Sequence, residues 1–265
     1  MSIWQAVAEL EEKHEMGVLC TIIRSQGSTP RNVGSKMLVK SDGSIVGSVG
    51  GGEMENRTIS AALDCIKLGK PGWLDYNLDD PAQGDPGLCG GQVEIYMEPI
   101  IPNPTLVVVG AGHVGQAVAH LASWLDFRIV VSDDRPEFCN SETIPNAEEY
   151  FPIPLEELTE KLRITPWTYV VLTTRSVDID VPGLPGLLDS PAAYIGVIGS
   201  RRRWETTRKQ LEAAGVGSDK IKKVRSPMGL KIHAETPEEI AVSIMAEIIQ
   251  IKHGTEQAKP PDNVQ

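Results

Sequence analysis

The stretch TLVVVGAGHVG, residues 105–115, restricts the fold more than any other part of the chain. Its first half is a continuous apolar run, the pattern of a parallel strand covered on both faces. A helical pattern from His113 to Leu125 follows at once, so the glycines fall at a strand-to-helix turn. In that context GAGHVG matches the dinucleotide fingerprint. Gly110 permits the tight turn, Gly112 lets the backbone approach a pyrophosphate, and Gly115 lets the helix pack closely on the strand. The helix start adds free N–H groups and a partial positive charge. Asp133 ends the next strand, RIVVS (128–132), where an acid can accept hydrogen bonds from a ribose diol and disfavour a 2′-phosphate. Arg135 nearby complicates that preference. The competing reading is a doubly wound domain that keeps the turn and binds nothing. His113 stands where it could touch a phosphate or simply face water. The remaining histidines, His14, His120, His233 and His253, have no metal-ligand spacing.

The fold class expected is α/β, with an amino-terminal α+β domain followed by a Rossmann-like doubly wound parallel-sheet domain. The seam is PIIPNP (99–104), where three prolines interrupt both helix and sheet, giving domains 1–101 and 102–265. Before the seam the pattern predicts a helix at 3–15 with Ser2 as N-cap and strands at 17–24, 36–40 and 44–49. A helix at 53–68 stopped by Gly69 and strands at 73–78 and 92–98 complete that part. Beyond it, strands are expected at 169–174 and 193–200, and a last helix opens with the capping box Thr236-Pro237-Glu238-Glu239. SRRRW (200–204) sits at a strand's carboxyl edge, where Ser200 and Arg201 could meet an anion. The bland alternative is a solvated first turn. Cations at a helix start oppose the dipole, a cost easier to understand if an anion offsets it.

A net charge of −11 and 5% aromatic residues argue against nucleic-acid binding, which needs excess cations and stacking platforms. No apolar run approaches the ~20 residues of a membrane span, and the acidic start is unlike a signal peptide, so a cytoplasmic protein is expected. The four cysteines form no CxxC pair, and Cys20 and Cys65 lie in core-like patterns. Cys89 differs. It stands in GDPGLCGG (84–91), one of three polar glycine loops with SQGSTPR (25–31) and GSVGGGEMEN (47–56). Glycine neighbours leave a thiolate unobstructed, nearby N–H groups or Arg31 could lower its pKa, and a thiolate suits soft metals. Glycine runs also commonly just turn the chain.

The segments GSTPRNVGSKMLV, GSIVGSVGGGEMEN, LCGGQVEIYMEP, VVVGAGHVGQAVAHLA, VVSDDRPEF, YIGVIGSRRR and SPMGLKIHAETPEEIAVSIMAEII occur in that order. Together they resemble the XdhC/CoxI family, maturation factors of xanthine dehydrogenase and related molybdenum hydroxylases. The resemblance implies a protein that binds the molybdenum cofactor, assists its sulfuration and helps deliver it to an apo molybdenum hydroxylase, with a cysteine desulfurase as a possible sulfur donor. It makes Cys89, Gly90 and Gly91 the family's CGG segment, with Cys89 a candidate contact for the metal. Gly50, Gly51 and Gly52 match its glycine loop, and Ser28 to Arg31 its turn. Two features depart from the pattern: Glu53 stands where many members have cysteine, and TTRSVDID replaces a histidine-bearing loop. Roles for those groups do not carry over.

The resemblance leaves open whether the chain is an enzyme, although members often carry the label xanthine dehydrogenase, and a non-catalytic cofactor chaperone fits better. Intrinsic xanthine oxidation would need iron–sulfur cysteine clusters that are missing here. An NAD(P)-dependent oxidoreductase or a nucleotide-sensing protein would use the same glycine turn, but no His/Asp or Tyr/Lys arrangement for hydride transfer stands out. A homodimer also stays open.

Overall fold

The computed structural model describes residues 1–78 and 91–254. The chain divides into two units, Met1–Pro102 and Asn103–Gln265.

In the first unit, α1 (Ile3–Glu12) opens with a reciprocal cap. The Gln5 N–H donates to Ser2 Oγ at 3.2 Å, and the Ser2 N–H donates to Gln5 Oε1 at 2.8 Å. The helix stops short of the expected residue 15, because His14 adopts a left-handed backbone at φ 50°. Five strands follow: β1 (Gly17–Gly27), β2 (Lys36–Lys40), β3 (Ile45–Gly47), β4 (Gly72–Asn77) and β5 (Gly91–Ile100). They form one antiparallel sheet in the order β3-β2-β1-β5-β4. β1 runs three residues beyond the expected end, since Ser25, Gln26 and Gly27 pair with Val93, Gln92 and Gly91 of β5. That polar extension carries no apolar alternation by which it could be recognised. The helix α2 (Gly52–Leu68) lays Met54, Ala62 and Cys65 on one sheet face, against Val18, Cys20, Ile22, Tyr76 and Ile95. At the β2–β3 end, α1 covers the opposite face with Ala6 and Leu10 against Leu38.

The second unit is a five-stranded parallel sheet. Its strands are β6 (Thr105–Val109), β7 (Arg128–Ser132), β8 (Glu149–Phe151), β9 (Thr168–Leu172) and β10 (Tyr194–Val197), in the order β10-β9-β6-β7-β8. All five residues of β6 are buried, with Leu106 and Val108 in one core and Val107 and Val109 in the other. The first core is closed by α3 (His113–Trp124) and α8 (Pro237–Lys252). The second takes in Leu158 of α4 (Leu158–Lys161), Leu184, Leu187 and Leu188 of α5 (Val177–Asp189), Leu211 of α6 (Arg201–Ala213) and Ile221 of α7 (Ser218–Ile221). After β8 the chain crosses back to β9 on the other side of β6, so strand order reverses there. Crevices at such a reversal are where open α/β sheets bind ligands.

Two elements were not expected from the sequence, and one of them, α5, begins inside TTRSVDID, which reads as loop. β8 is too short to show a period. α5 contains Pro182 and Pro185, residues that ordinarily interrupt a helix. Its glycines explain the packing: a Cβ on Gly183 would lie 2.1 Å from Leu155 Cγ, and one on Gly186 would lie 2.9 Å from Thr159 Oγ1. VPGLPG therefore spells a helix face on which the 155–161 segment can sit closely, rather than a turn.

Candidate functional site

In the first unit, the Ser28–Arg31 turn, Gly50 and Gly91 meet. A Cβ on Gly50 would lie 2.7 Å from Pro30 Cγ, and one on Gly91 would lie 2.5 Å from the Ser28 carbonyl oxygen. The Ser28–Arg31 turn is thus wedged between Gly50 and Gly91. It is braced by a 2.7 Å bond between the Ser25 and Thr29 hydroxyls and by Thr29 Oγ1 donating to the Arg31 carbonyl at 3.0 Å. Arg31 itself is exposed. On the other side, the Gly50 N–H donates to Ser48 Oγ at 3.2 Å, and Ser48 Oγ donates to Glu55 Oε1 at 2.5 Å. Gly51 is the N-cap of α2, at φ 85°, and no side chain caps the helix. A Cβ on Gly51 or Gly52 would meet none of the described residues within 4 Å. Among the described residues nothing covers the start of α2, so it presents free N–H groups and positive dipole, a surface that fits an anionic or hydrogen-bonding group. Glu53, in the departing position, pairs with Arg57 at 3.2 Å.

Three thiols are accounted for. Cys20, Cys65 and Cys139 are free and buried. Burial pushes the Cys20 thiol up to about 12 and raises the other two. All three are packing residues in the protonated form. Cys89 and Gly90 lie outside the described residues, and Cys89 stands two positions before Gly91 in sequence.

In the second unit, a crevice of about 180 Å³ opens at the strand-order reversal, lined by Gly110, Gly112, Ser132, Asp133, Thr174 and Arg175 among others. Gly110, at φ 97°, makes the turn, and Thr173 at the end of β9 pins it by donating Oγ1 to the Gly110 carbonyl at 2.5 Å. A Cβ on Gly115 would lie 2.0 Å from that carbonyl oxygen, so α3 is seated directly against the turn. Gly112 is the N-cap of α3 with no side-chain cap, and a Cβ there would meet none of the described residues within 4 Å. Ser132 Oγ is buried in the crevice with no hydrogen-bond partner among the described residues.

Asp133 is placed differently from a free ribose acceptor. Its carboxylate is buried and already filled, accepting from the Ala111 N–H at 2.8 Å, the Arg135 N–H at 3.0 Å and the Arg135 guanidinium at 2.9 Å through both oxygens. It ties the glycine turn to β7. The groups left at the crevice rim are Asp134 and Arg175, joined by two 2.7 Å bonds. Arg175 holds the Asp134 carboxyl below the usual aspartate range.

Of the arginine triplet, Arg201 and Arg202 are exposed, while Ser200 caps α6 by accepting from the Arg203 N–H at 3.2 Å. Arg203 turns inward, donating to Asp180 Oδ2 at 2.6 Å, Thr174 Oγ1 at 2.9 Å and the Thr174 carbonyl at 2.9 Å. Asp180 is fully buried and also accepts from the Thr174 hydroxyl. The anion that offsets a cation at this helix start is thus the protein's own. Sequence reasoning missed this clamp, because Asp180 stands in a stretch that reads as loop. His113 is exposed and faces a groove between α3 and α8, beside His120 and Pro237, and does not line the crevice. Among the described residues no group of three or more His, Cys, Asp or Glu is placed to hold a metal, and no helix is long and apolar enough to cross a membrane.

Comparison with known proteins agrees with this architecture. Residues 106–248 match the XdhC Rossmann domain, and residues 10–77 match the XdhC and CoxI family. The chain is 36% identical over 263 residues to the uncharacterized protein YqeB of Escherichia coli (strain K12), covering 96% of this chain and 47% of that protein. It is 34% identical over 158 residues to a probable xanthine dehydrogenase subunit of Bacillus subtilis (strain 168), covering 60% of this chain and 46% of the relative. To PaoD of Escherichia coli (strain K12), a molybdenum cofactor insertion chaperone, it is 22% identical over 264 residues, covering 89% and 83%. The chain therefore spans about half the length of the first two relatives and most of the third. A crystal structure of a xanthine dehydrogenase from Bacillus halodurans has the same fold, with a TM-score of 0.52 and 25% identity over 98% of both chains. With both parts matched, this chain belongs to the XdhC and CoxI family.

Proposed function

We propose that this protein is a cytoplasmic maturation factor for molybdenum hydroxylases of the xanthine dehydrogenase type. It binds the molybdenum cofactor, assists its sulfuration and delivers it to the apo-enzyme, with a cysteine desulfurase as sulfur donor. The observation that carries this reading is the convergence of the Ser28–Arg31 turn, Gly50–Gly52 and Gly91 in one place. The likeness to a molybdenum cofactor insertion chaperone supports it.

The chemical fit is as follows. The cofactor supplies a pterin dithiolene, a phosphate and a soft metal. The uncapped start of α2 offers N–H groups to an anion, with no described side chain above Gly51 and Gly52 to obstruct it. Arg31, exposed at the end of the turn, adds a cation. Cys89 would supply a thiolate to the metal. These groups bind and orient, and no catalytic residue is proposed. The test is reconstitution. Protein purified from cells that make the cofactor should activate a purified apo molybdenum hydroxylase. Failure to do so, in a preparation that free cofactor does activate, would contradict the reading.

A second reading, binding of NAD(P) or another nucleotide, is supported by the buried, unpartnered Ser132 hydroxyl in the crevice beside the uncapped start of α3. Titration of the protein with NAD, NADP and ATP tests it directly.

A further inference from the structure

A separate feature of the first unit lies on the sheet face opposite α2. Val93 and Tyr76 point into the α2 core, so their neighbours along each strand point the other way. The register then builds two cross-strand rows on that outer face: Arg24·Glu94·Asp75 and Gln26·Gln92·Asn77. These six side chains line a cavity of about 330 Å³, within the range of small-molecule sites. The next row along the same face holds Trp73 opposite Tyr96, with ring centroids 4.9 Å apart.

The charge pattern is the unexpected part. Asp75 and Glu94 stand directly opposite on neighbouring strands, an arrangement that destabilises a sheet. Among the described residues Arg24 pairs with Glu94 alone, at 3.3 Å. Asp75 is exposed, and among the described residues no side chain pairs with its carboxylate, which leaves it open to a ligand. A ligand edge with two adjacent N–H donors would relieve this pair, and a carbonyl beside those donors would accept from the Gln26 or Gln92 carboxamide or from Arg24. The 2-amino-4-oxo-pyrimidine edge is that array, and a planar bicycle carrying it could extend toward Trp73 and Tyr96.

We propose that this face binds the aminopyrimidinone edge of a pterin, with Asp75 and Glu94 accepting from its ring N–H and amino group. The proposal rests on the cofactor-handling reading and names the part of the cofactor recognised here.

The probe is neopterin, titrated against the full 265-residue chain and followed by its own fluorescence. Saturable binding is expected, weakened about tenfold or more in the double variant Asp75→Asn/Glu94→Gln, since bonds to charged acceptors are lost. The ligand-free variant should melt at an equal or higher temperature, because a like-charge pair has been removed, so weaker binding will not reflect misfolding. GMP presents the same edge: displacement of neopterin by GMP would show that the edge alone is read, and failure to displace would show that the pterin bicycle is selected. No saturable neopterin binding by the wild type, or equal affinity in the double variant, would overturn the site. The larger reading fails separately. Wild-type protein that carries the intact cofactor, with as much in the double variant, overturns this site alone, whereas wild type without any cofactor overturns the carrier role.

Discussion

Single residues in this protein carry two kinds of constraint, and substitutions separate them. Gly115 is constrained by contact, because a methyl group there would lie 2.0 Å from the Gly110 carbonyl oxygen. Gly115→Ala must push α3 off the turn, and a loss of about 1–3 kcal/mol or more is expected in chemical denaturation. Ser132 is constrained in the opposite sense. Its buried hydroxyl is unpartnered among the described residues, so Ser132→Ala should leave stability unchanged or raise it by about 1 kcal/mol. If the crevice binds a nucleotide, the same variant should bind it more weakly. At this scale the glycines were legible in the sequence, since a strand before and a helix after GAGHVG fix what each one does. Arg203 was not. Its neighbours Arg201 and Arg202 are the same residue type, and only the turn of α6 decides which one points inward.

At the scale of elements, the Asp180–Arg203–Thr174 clamp joins α5, α6 and the end of β9. Arg203→Met would leave a fully buried carboxylate without its counter-charge, held only by the Thr174 hydroxyl among the described residues, and a loss of about 3–5 kcal/mol is expected by equilibrium unfolding. The Asp134–Arg175 pair at the crevice rim is more exposed and correspondingly weaker, about 1 kcal/mol or less. Because Arg175 lowers the Asp134 carboxyl in the folded state, the pair stabilises above the ordinary aspartate range and is lost as pH falls through the depressed value. The stability difference between wild type and Arg175→Met should therefore be present at neutral pH and vanish in strong acid. A difference that persisted unchanged in acid would place the effect in packing instead of charge. Elements with a long period or a full cap, such as α8 with its Thr236–Glu239 capping box, were readable from the residues. α5 was hidden by its prolines, and the end of β1 by its polarity, because what holds them is contact with distant segments.

Over the whole molecule, two units of different construction each bring together residues far apart in sequence. An antiparallel sheet gathers the turn at 28–31, the glycines at 50–52 and Gly91, while a parallel sheet opens a crevice at its strand-order reversal. The pattern of apolar runs and the proline-rich seam made the two architectures legible, but the meeting of the amino-terminal loops depends on β1–β5 register, which no local pattern specifies. The central claim is that these loops handle a molybdenum cofactor and that the thiol of Cys89 takes part. The most direct measurement is the molybdenum and pterin content of wild type and Cys89→Ala, both purified from cells that make the cofactor. Near-stoichiometric cofactor in the wild type and its loss in the variant are expected. Wild-type protein free of molybdenum and pterin would contradict the account.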